Sequence, residues 1–333
     1  MAPASLFRTG RRTALSLLAA ALGAGLLSAG VHAQEPQRIT MVVGYPPGGA
    51  TDALARTVAE GLRAQLGAPV LVENKPGAGG RIATEYVKNA KPDGTTLLFS
   101  ISSPIVIYPH IYRKLGYKPL EDFLPVGVAA RSTLGLTVGP AVPQSVKTVA
   151  DYVTWTKANP RMATFGTVSG TAPHFAGLLF AHAAGINLQL IPYKGGTPAV
   201  TDMMGGNLPA TVTPVAEVQP FHAAGRVRTL ATMGPQRPKV MPDIPTMMEL
   251  GYKDVNFQTW IGILAPAGTP ADTVTRLNQA LARVLAQKDI VANIEKLGME
   301  PLSVSPDQFR EIIRSDYELF RKSVEMTGFK PED

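Results

Sequence analysis

Four loops hold the residues best placed to do chemistry: 44–52, 75–81, 166–174 and 193–197. Each is rich in Gly or Pro, and each precedes a helical pattern. Glycine lets the backbone approach a ligand with no Cβ in the way. A helix start leaves up to four amides unpaired and carries a partial positive charge. Together these can hold a carboxylate without any arginine. Tight strand-to-helix turns are the plain alternative for any one loop. The recurrence of two such loops in each half of the chain favours anion binding.

Individual side chains carry two readings each. Asp52 either meets a ligand amine, hydroxyl or bridging water, or stabilises the first turn of its own helix. Thr167, Ser169 and Thr171 place three hydroxyls beside a helix start; one serves as an N-cap and two are free to reach a ligand. His174 either caps its helix or touches the ligand. Lys194 offers a mobile charge or a solvated lysine, Arg81 a distal carboxylate partner or a water-facing one. Trp260 reads as core.

Templates for catalysis do not fit. Gly166-Thr167-Val168-Ser169-Gly170 sets its serine one position too late for a nucleophile elbow. Gly77-Ala78-Gly79-Gly80 lacks a dinucleotide glycine, and Gly48-Gly49 is followed by no Lys-Ser/Thr of a P-loop. His110, His174, His182 and His222 lie too far apart for a local zinc motif. No catalytic residue, metal or cofactor is expected. A periplasmic hydrolase assembled from dispersed Ser, His and Asp stays open as the rival class.

The elements that position these loops alternate. Strands are expected at 38–43, 69–74 and 96–100, with helices over 52–66 and 82–89. A second cycle begins near 137, with helices over 149–158, 174–184 and 198–204 and strands over 162–165 and 188–192. Two long amphipathic helices, 272–287 and 306–327, close the chain. Strand–helix alternation gives right-handed βαβ units and a mainly parallel sheet flanked by helices. Two such lobes are expected, joined without a low-complexity linker. Extended crossings near Arg131–Gly139 and Val255–Gly262 would make a two-strand hinge that permits closure.

Composition sets the compartment. Arg8, Arg11 and Arg12 precede an uncharged Ala/Leu stretch, Ala14 to Ala29, and Val31-His32-Ala33 offers a cleavage site. This is the order of a secretory signal, short of the about 20 residues a membrane span needs. Cleavage after Ala33 is expected, by the Sec or the twin-arginine route. Of the 333 residues about 300 then remain, enough for two lobes. Residues 1–33 carry three Arg and no acid, so the net charge of +7 becomes +4. That mild excess, with no run of basic and aromatic residues, gives no nucleic-acid footprint. The absence of cysteine excludes thiolate chemistry.

The loops also carry a resemblance. Val43-Gly44-Tyr45-Pro46-Pro47-Gly48-Gly49-Ala50-Thr51-Asp52, Glu73-Asn74-Lys75-Pro76-Gly77-Ala78-Gly79-Gly80, Pro92-Asp93-Gly94-Thr95, Pro192-Tyr193-Lys194-Gly195-Gly196-Thr197-Pro198 and Leu264-Ala265-Pro266-Ala267-Gly268-Thr269-Pro270 stand in order. In these the chain resembles the Bug receptors of tripartite tricarboxylate transporters. The resemblance implies an α/β, two-lobed type II periplasmic-binding-protein fold. Lobe 1 is then 34–136 with 258–333, and lobe 2 is 137–257. It implies a periplasmic, monomeric solute-binding protein that takes a small organic carboxylate between its lobes and passes it to the transporter's membrane components. An orphan receptor feeding a sensor protein would use the same site. Carried over, ligand contacts fall on Tyr45, Gly48, Gly49, Ala50, Asp52, Ala78, Gly79 and Gly80. In the second lobe they fall on Thr167, Ser169, Gly170, Thr171, His174, Tyr193, Lys194 and Gly195. Arg81, Leu208-Pro209-Ala210 and the 166–170 loop depart from the family pattern and put the ligand's identity in question.

Overall fold

The computed structural model describes residues 38–331. The signal segment read over 1–33 lies outside the described residues. Helices of eight residues or more are labelled. In chain order the first elements are β1 (Ile39–Val43), α1 (Ala50–Leu66), β2 (Val70–Asn74), α2 (Arg81–Lys88) and β3 (Thr96–Ile101). Three helical turns follow, Ser103–Val106, Tyr108–Ile111 and Pro119–Asp122, and lead into the long strand β4 (Phe123–Val138). Then come α3 (Val149–Ala158), β5 (Thr164–Thr167), α4 (Ala172–Ala183), β6 (Gln189–Pro192) and α5 (Gly196–Met204). The rest is β7 (Ala210–Pro214), α6 (Val215–Ala223), β8 (Arg228–Thr232), β9 (Gln258–Pro266), α7 (Ala271–Leu285), α8 (Lys288–Lys296), β10 (Glu300–Pro301) and α9 (Pro306–Thr327).

Among the described residues the strands run β2-β1-β3-β9-β4-β7-β5-β6, with β8 and β10 also paired to β4. Both outer ends are parallel: β2, β1 and β3 at one, β7, β5 and β6 at the other. The centre is antiparallel, because β4 and β9 run against their neighbours. β4 serves both halves. Residues 123–133 pair with β9, and residues 134–138 pair with β7 and β8. A strand shared in this way ties the halves side by side.

Local chemistry explains the boundaries. Helix α1 buries Leu54, Ala55, Val58 and Leu62 at helical spacing against β1 and β3, each large side chain contributing about 1.5–3 kcal/mol. It stops at Gly67, whose φ of 62° closes the last turn. Thr148 with Asp151, and Ser305 with Gln308, form reciprocal capping boxes at the starts of α3 and α9.

Several expected boundaries move. The strand expected over 162–165 lies at 164–167, because Pro160–Met162 forms a tight helical turn first. Helix α4 starts at Ala172, two residues earlier than expected, with Pro173 tolerated in the first turn. Three helices, not two, close the chain, α8 being the addition. β7, α6 and β8 fill a stretch for which no elements were expected. Trp260 is buried, and its indole N–H donates to Asp316 Oδ2 at 2.9 Å.

Candidate functional site

Four helix N-termini converge on one cavity of about 290 Å³ between the two halves of the sheet. Ala50 and Thr51 bring the start of α1, Thr171 and Pro173 that of α4, Gly196 that of α5, and Pro214, Ala216 and Glu217 that of α6. Ser102 and Ser103 enter after β3, and Thr167 from the end of β5. Ser132 and Leu134 of β4 and Thr259 and Ile261 of β9 also line it. Among the described residues of this wall there is no Lys, Arg or His, and Glu217 is the one charged type. Negative charge in the cavity must therefore be met by amides, hydroxyls and helix dipoles.

A larger hollow of about 790 Å³ lies between α9 and strands β4 and β9. It presents Asp307, Glu311 and Asp316, and its arginine, Arg131, is already paired with Glu300. The start of α9 is closed by its own capping box. Size alone favours this hollow, but its charged groups are largely paired already and among the described residues it brings together no set of helix N-termini, so the smaller cavity is the better site for an anion.

Of the residues expected from sequence, Ala50, Thr167 and Thr171 reach this cavity wall. Others hold the loops behind it. The buried Asp52 accepts from the Gly48 amide, from Arg56 and from Asn74, all between 2.8 and 3.0 Å. Chiefly through the Arg56 bonds, its pKa falls to about 2. Asn74 also donates to Tyr45 O at 3.0 Å, tying β2 to the first loop. Asp52 thus shapes the 45–49 turn. Gly48 (φ 85°) and Gly49 are exposed within it.

The Ala78–Gly80 turn is held by two phenols. Tyr45 and Tyr108 both donate to Gly79 O at 3.1 Å. Ala78 carries a φ of 47°, the left-handed region that a residue with a Cβ seldom adopts. Arg81 donates to Ala78 O and lies 3.9 Å above the Tyr112 ring.

In the second half, His174 is buried and neutral. Burial pushes its pKa down to about 4, and its Nδ1 accepts the Gly170 amide at 3.2 Å. It fixes the 168–171 loop from behind. Thr171 Oγ1 donates to Val168 O at 2.7 Å, while Ser169 is exposed. Tyr193 donates its amide to Thr167 O and its hydroxyl to Asp202. Lys194 is exposed, and Gly195 N-caps α5.

Glu217, Thr213, Thr51, Ser102 and Ser103 escaped the sequence reading. For Glu217 the signal was one acid in the otherwise uncharged run Pro209 to Pro220. Its Oε2 is buried without a hydrogen-bond partner among the described residues, as is Thr213 Oγ1. Burial raises the Glu217 pKa to about 7.

This fold and cavity define a two-lobed solute receptor of the periplasmic-binding-protein class. The sequence pattern of the tripartite tricarboxylate transporter family receptors, TctC, matches residues 54–328, and the chain belongs to that family. It is a family of transporter receptors, binding proteins rather than enzymes. Protein BugT of Bordetella pertussis is 33% identical over 95% of this chain and 99% of its own length. The structure of Rpa4515 from R. palustris with adipate is 30% identical, covers 89% of this chain and 98% of that one, and superposes with a TM-score of 0.78. MatC from Rhodopseudomonas palustris with bound malate is 25% identical over 86% and 98%, with a TM-score of 0.74.

Proposed function

We propose that this receptor captures a small organic carboxylate in the 290 Å³ cavity and delivers it to the membrane components of a tripartite transporter. The observation that carries the reading is the convergence of four helix starts on a wall without a basic residue. Each amide bond to a charged group contributes about 1.5–3 kcal/mol. Two or three of them, with desolvation, reach the roughly 8 kcal/mol of micromolar affinity. The adipate and malate bound to the two relatives are of the size and charge class such a cavity suits.

In this reading Ala50, Thr51, Thr167 and Thr171 meet the ligand. Tyr45, Gly48, Gly49, Asp52, Ala78, Gly79 and Gly80 support the first-lobe side. Ser169, Gly170, His174, Tyr193, Lys194 and Gly195 support the second. Lobe 1 comprises 34–136 and 258–333, lobe 2 comprises 137–257, and β4 and the start of β9 act as the hinge. The mature protein is periplasmic and monomeric and begins at Gln34. Equilibrium binding followed by chromatographic recovery of the ligand tests the function. Recovery of an unchanged carboxylate supports capture; recovery of a hydrolysis product refutes it.

A further inference from the structure

Glu217 is an unexpected presence in a cavity for anions. It stands in the first turn of α6, and its carboxyl lies against Gly196 at the start of α5. A Cβ on Gly196 would overlap both carboxyl oxygens. The position of this acid is therefore built in by a glycine. Oε2 is buried with no partner among the described residues, and Thr213 Oγ1 on the same wall has none there either. Two buried, unpartnered polar atoms on residues of one cavity wall point to hydrogen bonds completed on ligand binding.

Among the described residues no basic side chain lines the wall beside Glu217. On α5, Asp202 takes the Tyr193 hydroxyl. On β4, Arg131 is paired with Glu300. On β8, Arg228 is spent on the carbonyls of Val142, Pro143 and Val146. β7 carries no titratable side chain. On α6 itself, His222 Nδ1 accepts the Thr229 amide. Lys194 is exposed on the preceding loop, and Glu295 and Lys296 precede the Gly298 turn that abuts Ala216. The N-terminal ends of α5 and α6 favour the anion; burial acts the other way and raises the pKa to about 7. A second carboxylate entering the cavity would raise it further, since two like charges at one site cannot both ionise cheaply.

We propose that Glu217 engages the ligand as the neutral acid, its carboxyl O–H donating to the ligand carboxylate, so that binding takes up one proton from solvent. The inference rests on the carboxylate reading above. It makes the receptor's affinity a function of pH and makes Glu217 a specificity residue. Ligands bearing an acceptor at this point are retained, and ligands bearing an ammonium group lose their advantage as the acid stays protonated.

Calorimetric titration of the full mature chain with malate, adipate and aspartate between pH 6 and 9 tests it, run in two buffers of different ionisation enthalpy. The expected result for malate or adipate is uptake of about one proton at pH 8. The dissociation constant should weaken about tenfold per pH unit above neutrality. Glu217→Gln, which keeps a donor but cannot titrate, should bind at pH 8 as tightly as the wild type at pH 6, with a flat profile. A flat wild-type profile, proton release, or tighter binding of aspartate as pH rises would overturn the inference while leaving carboxylate capture intact. Failure of all three probes at every pH would overturn both. The two-buffer measurement on the wild type decides the matter even where the variant does not fold.

Discussion

The Glu217 carboxyl rests on the backbone of Gly196, in the space a side chain at 196 would occupy. This pair joins the starts of α5 and α6 and places an acid in the cavity wall. Gly196→Ala must displace the carboxyl or the helix start. Forcing one methyl into a packed site costs about 1–3 kcal/mol. We expect a drop in melting temperature and at least about a tenfold loss of ligand affinity. Gly205→Ala, whose added Cβ would meet nothing closer than 3.5 Å, should leave affinity unchanged. Equal affinities in both variants would show that the Gly196–Glu217 contact is irrelevant to binding.

Asp52 gives a prediction with the opposite pH sense. Its native pKa of about 2 lies below the ordinary 3.8. The stabilisation is present above the unfolded value and is lost as pH falls through about 2. It amounts to at most about 2 kcal/mol, reduced by the half-exposed position of Arg56. Asp52→Asn should lower the urea midpoint at pH 7 and match the wild type near pH 2. A constant gap at both pH values would show that the charge on Asp52 does not matter.

Glu217 and Asp316 act in the other direction. Burial, the larger influence on each, raises both to about 7, although the Trp260 N–H pulls Asp316 down. Between the ordinary carboxylate range and pH 7 the native state holds more protons than the unfolded chain. Their contribution to stability is complete below about pH 4 and lost by about pH 7. His174, held down to about 4, gives a rise over the same interval up to about 6.5. That rise is shared by variants that leave His174 in place. Glu217→Gln with Asp316→Asn should therefore exceed the wild type in urea midpoint at pH 8, with the gap closing towards pH 4. Parallel profiles would contradict the buried-acid account.

Sequence made the loops legible because their constraint is local. The Gly-Pro-rich turn of 44–49 is written in consecutive residues, and the structure gives Gly48 the φ of 85° such a turn needs. The helices α1 and α9 were legible for the same reason, their apolar faces recurring at helical spacing. The cavity wall was harder. It draws Thr51, Ser103, Thr213 and Glu217 from segments up to 166 positions apart, and no local pattern marks their convergence. The segment 210–223 was missed because β7 has only five residues, its threonines are buried alongside its apolar positions, and α6 follows directly at Pro214 with only Val215 and Val218 buried, too few to mark a helical period. Asp52 and His174 were open between ligand and scaffold on their residues alone, and ligand contacts by the family resemblance. Their partners, Arg56, Asn74 and Gly170, place both in the support of the loops.

A thermal-shift screen of mono-, di- and amino-carboxylates, with uncharged sugars and metal cations as the contrast, tests carboxylate capture most directly. A ligand at 100 times its dissociation constant stabilises the folded state by about 2.7 kcal/mol, a shift of several degrees or less for a chain of this length. The account predicts that at least one small carboxylate raises the melting temperature and that sugars and cations do not. A rise with a sugar or a cation and with no carboxylate would contradict it.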